Sequence, residues 1–247
     1  VEVKVNAPEL LEQALRRRRK KCVVGTGAMS DPYLPLEKKL GLTRRCLEII
    51  ERYGFGAAVL TKSDLVLRDL DVFRRLRDRS KCAVQMTLTT ADPKLCRWIE
   101  PNVCDTARRA EVLNILRDEG IPTVVWMTPI LPFINDTMEN IEALLEICVR
   151  ARVKGIVTFD GLGLTLREGD REYFYQKLDE HLPGMKRRYV RAYGNDYVLP
   201  SPNSDRLMAR VREVCAAHAI LTEPKEIFTM LETFEAPGGG EQLRMPF

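Results

Sequence analysis

Five short runs rich in apolar and β-branched residues alternate with helix-length segments, and that order narrows the fold more than any other feature of the chain. The runs are Cys22–Gly27, Ala57–Thr61, Cys82–Thr87, Thr123–Thr128 and Gly155–Phe159. Between them lie Thr43–Tyr53, Val66–Ser80, Thr106–Glu119 and Met138–Arg152, which are predicted as helices. Gly54 and Gly120 stand just past two of these helices, where a left-handed residue ends a helix cheaply. Strands buried on both faces read as short, nearly continuous apolar runs. Alternating with helices, they specify βα units on a parallel sheet, open or barrel-like.

Upstream of the first run, Asn6 with Glu9 predicts a capping box, with Pro8 in the first turn. The helix that follows ends in the basic cluster Arg16–Lys21. A solvated helix end favoured by the macrodipole accounts for that cluster better than phosphate contacts do. From about Leu166 the pattern changes to helices without strong strands. Tyr173, Phe174, Tyr175, Tyr189, Tyr193 and Tyr197 crowd this stretch, and helices are predicted over Arg206–His218 and Glu223–Phe234. The aromatic residues are expected to pack against the βα unit rather than to stack on bases. The expected organisation is a βα domain over 1–165, a helical C-terminal extension over 166–236 and a flexible tail over 237–247.

Composition excludes several classes. Hydrophobic residues make up 45% of the 247, enough for a full core. No run approaches the roughly 20 apolar residues of a membrane span. The opening VEVKVNAPE has charges where a secretory signal has an apolar core. It also lacks an initiator Met, so the natural start is expected upstream. A net charge of +4 is too mild to argue for nucleic-acid binding alone. The seven cysteines form no C-x-x-C pair, and without secretory context they are expected to be reduced thiols in a cytoplasmic protein. Only His181 and His218 are present, both in the C-terminal part, so a histidine-dependent mechanism is not expected.

In βα architectures the functional groups come from several strand ends that meet at one rim. Here the first run passes through Gly25-Thr26-Gly27 into Ser30-Asp31-Pro32-Tyr33, and the second ends Thr61-Lys62-Ser63. The third ends Thr87-Leu88-Thr89-Thr90, and the fourth ends Thr128-Pro129 with Asn135-Asp136 close behind. A lysine directly after a buried strand places an ammonium among hydroxyls, a set suited to a zwitterionic or ribose-bearing ligand. Lys62 could instead form a structural ion pair with Asp31 or Asp64. It could also serve as a Schiff-base lysine with Asp31 or Glu37 as acid or base. A third alternative is a non-catalytic nucleic-acid-binding scaffold built on Arg16–Lys21 and the tyrosines.

The ordered series GTGAMSDPYLPLEKKLGLTRRCLEII, LTKSDLVLRDLD, MTLTT, IEPNV and EGIPTVVWMTPILPFIND resembles the spore photoproduct lyase-like family of radical S-adenosylmethionine proteins over about residues 1–165. The resemblance implies an α/β fold, a partial (β/α)6 barrel with the cofactor at its carboxyl-terminal rim. It places Ser30, Lys62 and Thr87 on S-adenosylmethionine, with Asp31 and Asn135 at the same rim as further cofactor-binding candidates. It also implies a [4Fe–4S] cluster, an electron donor such as flavodoxin or ferredoxin, and an unidentified substrate, nucleic acid among the candidates. The family's C-x-x-x-C-x-x-C cluster motif does not occur here, so it and the first barrel strand are expected before Val1. The family's hydrogen-donating cysteine falls at Ala28, so the resemblance does not extend to photoproduct repair by that route.

Overall fold

The computed structural model describes residues 2–158 and 161–234. The expected tail over 237–247, and Phe159 at the end of the fifth run, lie outside the described residues.

In chain order the elements are α1 (Ala7–Arg17), β1 (Val23–Thr26), α2 (Glu37–Leu40), α3 (Leu42–Arg52) and β2 (Gly56–Thr61). A 3₁₀ turn (Asp64–Asp69) leads into α4 (Leu70–Arg79), β3 (Cys82–Thr87), α5 (Pro93–Ile99), α6 (Thr106–Asp118) and β4 (Thr123–Trp126). Then come α7 (Met138–Arg150), β5 (Gly155–Val157), β6 (Gly163–Thr165), α8 (Asp170–His181) and α9 (Met185–Tyr193). The described chain closes with β7 (Val198–Pro200), α10 (Ser204–Ala217) and α11 (Pro224–Glu232).

Strands β1 to β5 form one parallel sheet in sequential order, as the alternation required. The register sorts the side chains by face. Val24, Ala57 and Cys82 are partners across three strands, and all three belong to the core beneath the helices. Gly25, Ala58 and Ala83 are partners on the opposite face, where the side chains are small. Further along that face lie Gln85 beside Val124 and Thr87 beside Trp126. Helix α11 covers part of it, packing Ile227 and Leu231 on Ala83, Val124 and Val157. Gly155 permits this approach, because a Cβ there would stand 2.9 Å from Ile227. Both Gly54 and Gly120 adopt φ of +66°, which supports their reading as helix terminators.

Several local expectations differ from the structure. Asn6 makes no side-chain cap. Glu9 instead reaches Arg45 of α3 at 2.6 Å, so a tertiary ion pair replaces the capping box. Within the basic cluster, Arg16 bonds the Tyr53 hydroxyl and Lys21 the Tyr53 carbonyl, so its two ends fasten α1 to α3. The helix expected from Val66 begins as the 3₁₀ turn, with Ser63 accepting from the Leu65 amide. Helix α5 was not foreseen, although Asp92 caps it through the amides of Lys94 and Leu95. The C-terminal part contains a strand after all: β7 pairs antiparallel with β6. Its tyrosines divide. Tyr175 and Tyr189 are buried with Leu166, Leu178 and Leu199, and the Tyr189 hydroxyl donates to the Pro132 carbonyl at 2.6 Å. Tyr173 and Tyr197 are exposed.

Candidate functional site

The carboxyl ends of β1 to β4 converge on one rim, and Asp31 ties the first two together. Its Oδ1 accepts from the Tyr33 amide at 2.8 Å, the local turn that an Asp-Pro-Tyr sequence favours. The same oxygen accepts from the Thr61 hydroxyl at 2.7 Å, and Oδ2 accepts from the Lys62 amide at 2.7 Å. Behind this loop the buried Tyr33 hydroxyl donates to Asp69 at 3.0 Å. Arg68 bridges Asp69 and Glu37, each at 2.8 Å. Burial, followed by the Asp69 carboxylate, pushes the Tyr33 phenol well above its ordinary range. It therefore stays a neutral donor and anchors the loop.

The partner of Lys62 is neither Asp31 nor Asp64. Its Nζ lies 2.7 Å from Glu100 Oε1, while Asp64 pairs with Arg108. Glu100 Oε2 lies 2.8 Å from Nη1 of Arg109, a side chain with 0% exposure, and accepts from the Thr89 hydroxyl at 3.1 Å. Arg109 also donates to the carbonyls of Thr87 at 3.0 Å and Cys104 at 2.8 Å, and the Cys104 thiol meets the Lys62 carbonyl at 3.0 Å. The ring of contacts joins the ends of β2 and β3 to α5 and α6. Burial pushes the Glu100 carboxyl up, but Arg109 and then Lys62 pull it below the ordinary carboxylate range. A Schiff-base amine at Lys62 would have to give up this pair, and Glu37, its supposed helper, is committed to Arg68.

The structure thus joins Asp31 directly to Lys62, and Thr87 to Lys62 through Arg109 and Glu100. Asn135 is buried and braces the rim: its Oδ1 accepts from the Leu131 amide at 2.6 Å and its Nδ2 donates to the Thr89 carbonyl at 2.8 Å. Those bonds commit its amide to the loops and leave it a bracing residue. Ser30 stands exposed on the first loop with no hydrogen bond to the others among the described residues.

Sequence reasoning missed Glu100 and Arg109 as site residues. Glu100 lies inside the quoted IEPNV segment. Arg109 shares its helix stripe with Thr106, Val112, Leu113 and Leu116, all buried, so a charge in an apolar position was the signal. It also missed the cavity of about 470 Å³ that opens beside Lys62 and Glu100. One wall is α8, which brings His181 to the site although histidine had been discounted.

The cavity and the trough, the open small-residue face of the sheet at Gly25, differ in what they can hold. Gly25, on the small-residue face, has no heavy atom within 4 Å of where a Cβ would stand. Together with Lys62 this leaves room and charge for a carboxylate-bearing cofactor such as S-adenosylmethionine. A cluster does not fit in the same way. All seven cysteines are free thiols, and among the described residues no three metal-binding side chains come together.

No family model matches the chain. The uncharacterized protein Rv2578c of Mycobacterium tuberculosis is 28% identical over 223 residues, covering 89% of this chain and 64% of that protein. The uncharacterized protein MJ0683 of Methanocaldococcus jannaschii is 34% identical over 136 residues, 55% of this chain and 49% of that protein. The chain therefore spans less than two thirds of the length of these relatives. Among solved structures, a spore photoproduct lyase double mutant with bound AdoMet and dinucleoside spore photoproduct matches with a TM-score of 0.60. That match has 13% identity and covers 90% of this chain and 67% of the other. Streptococcus suis SuiB bound to its precursor peptide SuiA matches with a TM-score of 0.51 at 12% identity, over 90% of this chain and 42% of SuiB.

The parallel five-stranded sheet with its helices resembles the folds of radical S-adenosylmethionine enzymes. At these identities the likeness concerns the fold. Among the described residues no helix is long and apolar enough to cross a membrane.

Proposed function

We propose that this chain carries the cofactor rim and substrate cavity of a radical S-adenosylmethionine enzyme of the spore photoproduct lyase-like type. The observation that carries the reading is Lys62: an ammonium held by Glu100 at the strand-end rim, beside a cavity, on a fold like that of a lyase solved with AdoMet. When bound, S-adenosylmethionine and a [4Fe–4S] cluster together supply hydrogen abstraction by one-electron cleavage of the sulfonium. In this reading the cluster ligands come from residues preceding Val1, and a flavodoxin- or ferredoxin-like donor supplies the electron.

The chain's own residues bind and orient. Lys62 would pair with the cofactor's carboxylate, Ser30 and Thr87 would offer hydroxyls, and the open space at Gly25 would leave room for it. Asp31 fixes the backbone of Lys62, and Glu100 holds its ammonium. Asn135 clamps the loops after β3 and β4, while α8 forms one wall of the cavity.

The test is equilibrium S-adenosylmethionine binding to wild type, Lys62→Met and Gly25→Ala. Weakening by both substitutions supports the reading, and unchanged affinity in both removes it.

A further inference from the structure

The cavity is more selective than its position requires. Among the described residues its only carboxylate, Glu100, is already engaged by Lys62 and Arg109. Arg97, exposed at the wall, has no hydrogen-bond or ion-pair partner among the described residues. Lys177 pairs with Glu180, an exposed i,i+3 neighbour at 2.5 Å, and its ammonium stands 5.7 Å from the centre of the Tyr173 ring. Such surface pairs contribute roughly 0–1 kcal/mol and exchange readily for a better anion.

The remaining wall is flat and apolar. Tyr173, Lys177 and His181 recur at four-residue spacing along α8 and face the cavity, while Tyr175 and Leu178 turn into the core of the extension. Tyr173 is 63% exposed and presents its ring at the cavity wall. Trp98 meets His181 edge-on at 5.2 Å, and its indole N–H is buried without an acceptor. One unpaired cation, a second held only by weak surface contacts, an unmet donor and aromatic walls in about 470 Å³ define one ligand chemistry.

We propose that this cavity binds a small anion borne on a planar ring, an aryl carboxylate or an aryl phosphate ester, and that α8 reads it. The ring lies between Tyr173 and Trp98, and the anion is met by Arg97 and Lys177. What happens to the ligand rests on the radical-enzyme reading, but its binding does not.

The test is a fluorescence titration of the 247-residue protein, whose two tryptophans include Trp98 in the cavity wall, with phenyl phosphate, phenylacetate and benzylamine. At least one of the two anions quenches saturably and benzylamine does not; the tighter anion identifies the headgroup. Arg97→Ala and Lys177→Ala each weaken anion binding about tenfold, in the range of a charge-assisted hydrogen bond. Arg79→Ala, a control at an exposed site on α4, leaves it unchanged. Absence of saturable quenching by either anion, equal binding of benzylamine, or wild-type affinity in both cavity variants overturns the proposal. Anion binding without S-adenosylmethionine binding would uphold this site and remove the cofactor reading; the reverse would remove this site alone.

Discussion

Replacing Arg109 by methionine removes a guanidinium with 0% side-chain exposure and leaves Glu100, itself only 8% exposed, with half of its counter-charge. Removing one partner of a buried pair costs about 3–5 kcal/mol, because the other charge remains without compensation. Two further hydrogen bonds, to the carbonyls of Thr87 and Cys104, are lost with it. Lys62 still faces Glu100 but is 34% exposed, so it offsets part of the loss. The expected destabilisation is about 3 kcal/mol, a large share of the ~5–15 kcal/mol that holds a domain folded. Urea unfolding at neutral pH measures it. Glu100→Gln in the Arg109→Met background should recover part of the loss, since the buried carboxylate goes with it. A pH series adds a signed check. Glu100 titrates below its ordinary value when folded, so its contribution is present above the unfolded value of ~4.3 and is lost as pH falls through the folded one. Wild type should therefore lose stability below about pH 4.3 more steeply than Glu100→Gln. An Arg109→Met protein within about 1 kcal/mol of wild type, with an unaltered acid limb, would refute the idea that this pair holds the rim.

Other outcomes follow from the same geometry. Lys62→Met should weaken S-adenosylmethionine binding by about 1.5–3 kcal/mol. Arg16→Ala, at a 72% exposed position on α1, should leave binding unchanged, and equal effects would mean global destabilisation. Gly27→Ala should destabilise by about 1–3 kcal/mol, because φ is +104° and the new Cβ would fall 2.0 Å from the Leu60 carbonyl oxygen. Gly25→Ala should leave the melting temperature near wild type, and an equal loss in both would show that the trough is closed packing. Iodoacetamide at pH 8 should spare Cys82 and Cys148 until the protein unfolds, since burial pushes the Cys82 thiol up to about 12 and the Cys148 thiol further. Rapid native labelling of either, read by peptide mass mapping, would contradict their burial.

The parallel sheet was legible because each strand is a short apolar run between helix-length segments, and the burial of β2 to β5 on both faces leaves no other periodicity to confuse it. Helix α5 was not, because Pro93–Ile99 is too brief to show a repeat, and its Asp92 cap had to carry the signal alone. Strand β7 escaped for a similar reason: three residues with Pro200 at the end have strand character only through pairing with β6. At the rim, strand ends identified Asp31, Lys62 and Thr87, but not what they do. Asp31 and Asn135 spend their polar atoms on the neighbouring loops, on backbone amides, the Thr61 hydroxyl and the Thr89 carbonyl, a choice set by loop geometry that spacing does not encode. Glu100 and Arg109 meet only after α5 and α6 fold back on the rim. Arg109 was hidden among the exposed charges of its own helix. His181 becomes a cavity residue only because α8 lies across the strand ends, a tertiary fact.

Whether the rim serves a radical S-adenosylmethionine enzyme is decided by anaerobic iron–sulfur reconstitution of a parent protein that carries a C-x-x-x-C-x-x-C segment before Val1, beside residues 1–247 alone. Iron and sulfide analysis, electron paramagnetic resonance with and without S-adenosylmethionine, and 5′-deoxyadenosine release under dithionite are read together. The account predicts a [4Fe–4S] cluster whose signal responds to S-adenosylmethionine, and deoxyadenosine formation, in the parent protein, with no cluster on residues 1–247. A parent protein without a cluster, or a full cluster on the shorter chain, would contradict it.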